Sequence, residues 1–272
     1  MTTAQKVIKY SALAFAIFLI ISIFSGIMIG VSKLSNIFGS DDTITKELKG
    51  LDIKNTNITQ LDIDINYANL IIKTGDTLKV ETNNKNIDYQ EKNDKLIIKE
   101  KKHNWFNTKN ESDLIIYIPN NYSFNDISIE AGAGKVNIEN INTKKLELDL
   151  GAGKAIISNL VVTQSSEIEG GAGEINIKNS SINNLELDCG AGKFTLNSKL
   201  TGNNKIDAGV GKLDITILGN REDYKIIVDK GIGTAKIDSE SIKDGKVYGS
   251  GLNSLTIDGG VGSININFKQ NR

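Results

Sequence analysis

Residues 127–138 read Ile-Ser-Ile-Glu-Ala-Gly-Ala-Gly-Lys-Val-Asn-Ile, and variants of this phrase return six more times along the 272-residue chain. The seven copies share a Gly-x-Gly core, whose first glycines are Gly132, Gly151, Gly171, Gly190, Gly209, Gly231 and Gly260. Subtracting neighbouring positions gives steps of 19, 20, 19, 19, 22 and 29 residues. A repeat of this length indicates one structural module that stacks on its neighbours to bury an apolar face.

Apolar and polar residues alternate on both sides of each Gly-x-Gly, as at Ile127 and Ile129 before the first copy and Val136 and Ile138 after it. This period of two is typical of a strand with one buried face. Hairpins and successive coils both fit the period, but the constant count across the glycines favours identical stacked corners. We therefore predict an all-β fold, a parallel β-solenoid or β-helix with coils of about 19–22 residues.

Glycine suits such a corner because positive φ or close backbone approach excludes a Cβ atom. Glycine-rich turns also hold phosphates, but a phosphate loop opens a helix, whereas a strand pattern follows every copy here. The formal net charge of -1 predicts no broad basic face for nucleic acid.

The N-terminus carries an uncharged stretch of 21 residues that begins at Ser11 and ends at Val31. Its length matches the ~20 residues of a membrane-spanning helix. Lys6 and Lys9 precede it, which favours a cytoplasmic N-terminus. A cleaved signal peptide is the alternative, but its apolar core is shorter. We predict a cytoplasmic tail (1–10), a transmembrane anchor (11–31), a stalk (32–50), an N-terminal β cap with a degenerate first coil (51–125) and the repeat solenoid (126–268).

Several segments, taken together with the anchor and the Gly-Ala-Gly-Lys copies, resemble the bacterial putative-adhesin family of β-strand-repeat proteins. They are Leu61-Asp62-Ile63-Asp64-Ile65, Gly75-Asp76, Leu96-Ile97-Ile98-Lys99-Glu100 and Ile116-Tyr117-Ile118-Pro119. The resemblance covers about residues 49–268. It implies a β-helix-like ectodomain at the bacterial cell envelope, and it implies no particular ligand.

An acid stands two residues before the first glycine of every copy, and parity predicts that it points outward. This acidic ladder comprises Glu130, Asp149, Glu169, Asp188, Asp207, Asp229 and Asp258, with Asp64 at the equivalent place in the degenerate coil. A lysine row three residues after the glycines is the simplest compensation for the repulsion, namely Lys135, Lys154, Lys193 and Lys212. Ca²⁺ bound to the acids is the alternative, above all at Asp229 and Asp258, whose copies lack the lysine.

A second candidate site is the segment from His103 to Asn110, which holds the chain's one tryptophan. Trp105 and Phe106 either contact a glycan, membrane or protein, or they close the end of the solenoid.

Catalytic residues are not expected, because the acids repeat in equivalent environments and no pair is marked by separated pKa values. The single cysteine, Cys189, falls at an inward position and has no disulfide partner. We expect a non-enzymatic, single-pass membrane protein without a cofactor, whose extracytoplasmic solenoid acts as an adhesin or envelope-interaction module toward a glycan or protein. An accessory role in an envelope stress response and a polysaccharide-active enzyme are the alternatives.

Overall fold

The computed structural model describes residues 47–55, 57–101 and 112–270, which form one all-β body. The predicted all-β class is confirmed. A short 3-10 turn at Arg221–Asp223 interrupts the strands. The strands are β1 (Lys49–Leu51), β2 (Gln60–Ile65), β3 (Asn69–Gly75), β4 (Lys79–Thr82), β5 (Ile87–Lys92), β6 (Lys95–Glu100), β7 (Asp113–Pro119), β8 (Phe124–Glu139), β9 (Asn142–Ser158), β10 (Val161–Asn183), β11 (Leu185–Thr201), β12 (Asn203–Leu218), β13 (Tyr224–Asp229), β14 (Ile232–Ile237), β15 (Glu240–Ser241), β16 (Val247–Tyr248) and β17 (Asn253–Lys269).

Each long strand runs through one Gly-x-Gly corner, so that a strand segment before the corner and another after it form one coil. Equivalent coils pair in parallel and in register, with Gly134 opposite Gly153 and Gly153 opposite Gly173. The same register continues through β11, β12 and β17. The repeat in the sequence is therefore a repeat in space.

Inward side chains of successive coils form continuous apolar columns. One column lies three residues before each corner, and each of its members is at most 1% exposed: Ile98, Ile63, Ile129, Leu148, Ile168, Leu187, Ile206, Ile257 and Val228. Each member between the two ends packs on a copy on either side, and the end members Ile98 and Val228 pack on one, so the core extends along the whole stack.

Gly192 illustrates why the corners require glycine. Its φ is +142°, and a Cβ atom there would lie 1.9 Å from the carbonyl oxygen of Gly173 in the neighbouring coil. Both the backbone conformation and the contact exclude a side chain. The corners therefore stack backbone on backbone.

Two positions line the space inside each bend, one directly before the first glycine and one four residues after it. They are occupied by Leu150 and Ala155 in one coil and by Gly170 and Ile175 in the next. A Cβ atom on Gly170 would lie 2.7 Å from Cδ1 of Ile175, so the isoleucine already fills this bend. One large and one small residue per coil keep the corner filled without overpacking.

The order of the coils in space departs from their order in the chain at both ends of the stack. The coil β2–β3 pairs with β8, and the later coil β6–β7 lies outside it. Likewise β17 lies between β12 and the earlier coil β13–β14. The degenerate coil at β2–β3 is thus one layer inside the end, and antiparallel strands β5 and β4 cover the outer coil.

Candidate interaction surfaces

The acidic ladder lies across neighbouring strands on the segment before the corners. Six of its residues are exposed and Asp207 is half-buried. Parallel register gives the spatial order Glu130, Asp149, Glu169, Asp188, Asp207, Asp258 and Asp229. Asp64 continues the ladder beside Glu130, and Lys99 stands beside Asp64 with a nitrogen–oxygen distance of 3.9 Å. Successive carboxylates are one strand apart, or ~4.8 Å.

A second column of acids, which the sequence reasoning missed, runs beside the ladder two residues earlier on three neighbouring strands. Glu147, Glu167 and Glu186 are exposed and lie side by side on β9, β10 and β11. Parity places residues two apart on the same face, so the repeat itself carried the signal. We call the combined surface the acidic face: Glu147, Asp149, Glu167, Glu169, Glu186 and Asp188.

The acidic face has little internal compensation. Within the described part of the chain, none of its six carboxylates lies within 4 Å of a lysine or arginine nitrogen. The hydroxyl of Ser128 approaches Glu147 at 3.3 Å. Like charges on adjacent strands destabilise a sheet. Lys205, which lies opposite Glu186 on β12, offsets part of that cost at one edge of the surface, and the acidic-face carboxylates of β9 and β10 form no ion pair among the described residues.

Asp188 and Asp207 are neighbours on β11 and β12 whose carboxyl groups are perturbed in opposite directions. Partial desolvation of the carboxyl group against the neighbouring strands, reinforced by Asp207, raises the pKa of Asp188. A hydrogen bond from Lys205, whose Nζ lies 2.7 Å from Oδ2, lowers the pKa of Asp207. The expectation that no pair of ladder acids is set apart is therefore wrong. Lys205 stands two residues before Asp207 on β12 and pairs with that carboxylate, whereas Asp188 on the neighbouring strand has no ion pair among the described residues.

The lysine row follows the segment after the corners, and two of its members pair away from the acidic ladder. Lys154 contacts Glu174 on the next strand at 3.2 Å, and Lys212 contacts Asp214 at 2.7 Å. Compensation at the ladder comes instead from Lys205 at Asp207 and Lys99 at Asp64. Compensation of the ladder by Lys135 and Lys193 stays a prediction.

Neither a cluster of metal ligands nor a reactive thiol occurs among the described residues. Among them, no three His, Cys, Asp or Glu side chains converge in a way that could hold a metal ion. Cys189 is half-buried beneath its corner, and burial raises the pKa of its thiol to about 12. A thiol with that pKa stays protonated and unreactive at neutral pH.

A crevice runs beneath the corners, from Ala68 along the stack to Lys230. Its volume is about 70 Å³, and its walls are corner glycines with flanking apolar side chains such as Phe194 and Leu213. Because this volume is distributed over many coils, it consists of narrow gaps between packed groups and does not form a ligand site.

Two predicted features lie outside the described residues, namely the anchor from Ser11 to Val31 and the pair Trp105 and Phe106. Within residues 47–55, 57–101 and 112–270 there is no helix with the length and apolar character needed to cross a membrane.

Comparison with known proteins shows which family the chain resembles. Residues 58–271 match the Toastrack DUF4097 family. A search of curated proteins finds no match. Among solved structures, a "putative cell adhesion protein" of Clostridium sporogenes is 17% identical, with a TM-score of 0.38 over 82% of this chain and 99% of that chain.

Two further structures are similar to the same extent. A "putative adhesin" of Bacteroides fragilis is 15% identical, with a TM-score of 0.39 over 82% of this chain and 98% of its own. One of Parabacteroides distasonis is 12% identical, with a TM-score of 0.34 over 83% and 98%. The family match spans most of the sequence, so the resemblance predicted from the repeats is confirmed and the chain belongs to the Toastrack DUF4097 family.

Proposed function

We propose that this chain is a membrane-anchored module of the bacterial cell envelope, whose coil stack lies outside the cytoplasm and acts as an adhesin. Two observations support this role. The coils share one apolar core, so the stack is a stiff scaffold, and its acidic face repeats the same carboxylates at strand spacing. A stiff repeating surface favours many weak contacts over one deep pocket.

The acidic face carries the proposal. Its carboxylates repel one another across adjacent strands. A partner with positive charges at similar spacing would relieve that repulsion, and complementary potentials would also speed its association. The partner we propose is an envelope glycan or protein that carries repeated cationic groups.

Membrane attachment is proposed from the uncharged stretch between Ser11 and Val31, preceded by Lys6 and Lys9. Protease added to intact cells tests the topology. We expect cleavage of the coil stack from outside and protection of a tag placed before Lys6. Protection of the coil stack in intact cells and its cleavage in lysed cells would contradict the proposed orientation.

We propose a non-enzymatic role despite the separated pKa values of Asp188 and Asp207. Both residues lie on an open strand face, with Asp188 exposed and Asp207 half-buried. A general acid and base work in a site that holds substrate and excludes water. Release of reducing sugar from cell-wall or capsular polysaccharide by the wild type, abolished by Asp188→Asn, would overturn this part of the proposal.

Trp105 and Phe106 remain a predicted contact or end closure. Replacing both with alanine separates the two interpretations. Unchanged thermal stability with weaker envelope binding supports a contact, whereas lower stability supports end closure.

Binding to fractionated envelope, with cell wall, lipid and protein kept apart, tests the acidic face. The triple variant Glu147→Gln, Glu167→Gln and Glu186→Gln removes three of its six charges. Glu139→Gln, Glu222→Gln and Glu240→Gln is the matched control, because these exposed glutamates lie outside the acidic face. We expect the first variant to lose binding and salt sensitivity and the control to keep both. Equal binding by both variants would refute the acidic face as the contact surface.

A further inference from the structure

A polar concavity lies near the C-terminal end of the stack, on the strand segment after the corners. Its volume is about 320 Å³, close to the ~300 Å³ at the lower end of small-molecule sites. The lining residues are Asp214, Lys236, Ser239, Asn265, Ile266 and Asn267. The acidic face lies on the segment before the corners, so the two surfaces are separate.

The exchanged order of the last coils builds this concavity. Asp214, Asn265 and Lys236 hold the same position after their corners, and register places Asn265 between the other two. If the coils stacked in the order in which they occur in the chain, Lys236 would lie directly beside Asp214. The intercalation of β17 therefore inserts an asparagine between an acid and a base.

The turn after β14 forms one side of the concavity. Asp238 and Ser239 are consecutive residues with positive φ, 49° and 70°. Asp238 is fixed by Arg221, at 3.1 Å, and by the backbone N–H of Phe268, at 3.0 Å. Left-handed non-glycine residues are strained and persist where their surroundings hold them. The anchored turn thus fixes Ser239 at the rim.

The polar groups of the lining divide into fixed and available ones. Asp214 accepts a hydrogen bond from Asn265 Nδ2 at 2.9 Å and pairs with Lys212 at 2.7 Å, so its carboxylate is held in place. Lys236, Ser239 and Asn267 make no side-chain hydrogen bond to another described residue, and Asn265 uses only its Nδ2, so its Oδ1 is also available. Together they offer an ammonium, a hydroxyl and an amide, which supply both donors and acceptors.

We propose that this concavity binds a neutral polyhydroxyl ligand, a saccharide unit. Each sugar hydroxyl both donates and accepts, which matches a lining of mixed donors and acceptors. Asp214 is already paired with Lys212, so Lys236 is the one ammonium of the lining without an ion pair among the described residues, and it can donate hydrogen bonds to neutral hydroxyl oxygens. The inference goes beyond the proposed function, since it assigns a second site with its own ligand and does not depend on the acidic face.

Isothermal titration of the full chain with chitotriose, cellotriose and maltotriose tests the site. We expect at least one trisaccharide to bind at millimolar concentration or below. Asn265→Ala and Lys236→Ala should each weaken that binding about tenfold, as expected for the loss of one or two hydrogen bonds. Asn176→Ala is the matched control, because Asn176 holds the same position as Asn265 on β10, away from the concavity.

The thermal transition of each variant shows whether it folds, and Asn267→Ala offers a milder change if Asn265→Ala does not. The proposal is overturned if no trisaccharide binds, or if binding survives in Asn265→Ala, or if Asn176→Ala weakens it equally. The triple glutamine variant of the acidic face should keep saccharide binding, so failure of either proposal leaves the other standing.

Discussion

The two ends of the coil stack are closed to different degrees. At the N-terminal end, β5 pairs with every residue of β6, and β4 covers Leu114 to Tyr117 of β7. At the C-terminal end, β16 covers two residues of β13 and β15 covers two of β14. Residues Ile232 to Thr234 have no strand on their outer side within the described residues, and Ile232 is 62% exposed.

The glycine corners at the two ends are also closed to different degrees. The carboxylate of Glu100 accepts backbone N–H groups of Asn66, Tyr67 and Ala68 at 2.7, 2.8 and 3.3 Å, which closes the corner of the coil β2–β3. In the last coil, corner glycine Gly233 contacts the neighbouring Gly262 on one side only. A short edge at a glycine corner limits sheet extension, and among the described residues no strand lies on the outer side of the Gly233 corner.

The largest expected effect compares a buried corner with the open one. Gly192→Ala and Gly233→Ala create the same clash, since the added Cβ atom would lie 1.9 or 1.8 Å from a neighbouring carbonyl oxygen. Gly192 is held between two coils and has positive φ, so we expect a loss of about 3 kcal/mol or more. Gly233→Ala should cost about 1 kcal/mol, because its coil can shift outward.

Urea unfolding monitored by circular dichroism measures both losses. Similar losses in the two variants would show that the last coil is held as rigidly as the middle of the stack.

The next effect concerns the closed end. Glu100→Gln weakens an acceptor shared by three backbone N–H groups, and we expect a loss of about 1–2 kcal/mol. Glu240→Gln, at an exposed glutamate of the open end, should change stability by less than about 0.5 kcal/mol. Hydrogen exchange should also quicken at Tyr67 and Ala68 in Glu100→Gln. Unaltered exchange there would mean that Glu100 does not close the corner.

The smallest expected change in stability comes from Asp188, in the middle of the acidic ladder. Because Asp188 lies away from both ends of the stack, this change does not depend on how either end is closed. The raised pKa of Asp188 means that its ionisation destabilises the folded state at neutral pH. Asp188 is exposed, so solvent screens most of this effect, and Asp188→Asn should gain at most about 0.5 kcal/mol near pH 7. The gain disappears below about pH 4, where the wild-type carboxyl is protonated.

Asp207→Asn should act in the opposite direction. The lowered pKa of Asp207 contributes stability above its unfolded pKa, and this contribution is lost as the pH falls through the folded value. Thermal unfolding across this pH range measures both variants. The same sign of change in both near neutral pH would contradict the opposed shifts.

The sequence predicted what repeats in every coil. The parity around Ile129 and Leu148 identified inward residues, and the invariant glycines identified the corners, because each copy states the same local pattern. The neighbours of the last coils were not predictable in this way. Both β14 and β17 carry the same Gly-x-Gly and the same parity, so local pattern alone does not decide which of them stacks on β12.

The candidate sites show the same distinction between features that repeat in every coil and features that depend on how the coils are stacked. The ladder acids were identified from one offset in the repeat. The opposed perturbation of Asp188 and Asp207 depends on the register that places these two side by side and on Lys205, which stands two residues before Asp207 on the same strand. The concavity at Asn265 depends on the exchanged coil order. The anchor and Trp105 lie outside the described residues and stay predictions.

The exchanged order at the open end is tested most directly by disulfide trapping in a Cys189→Ser background. Asn203 is opposite Ser254, whose hydroxyl donates to Asn203 Oδ1 at 3.0 Å, and Lys225 lies beyond Ser254. Neighbouring strands bring Cα atoms within the ~4.4–6.8 Å of a disulfide, and strands two apart do not. We predict that Asn203→Cys with Ser254→Cys cross-links within one chain and that Asn203→Cys with Lys225→Cys does not. Cross-linking of the second pair in place of the first would show that the coils stack in chain order.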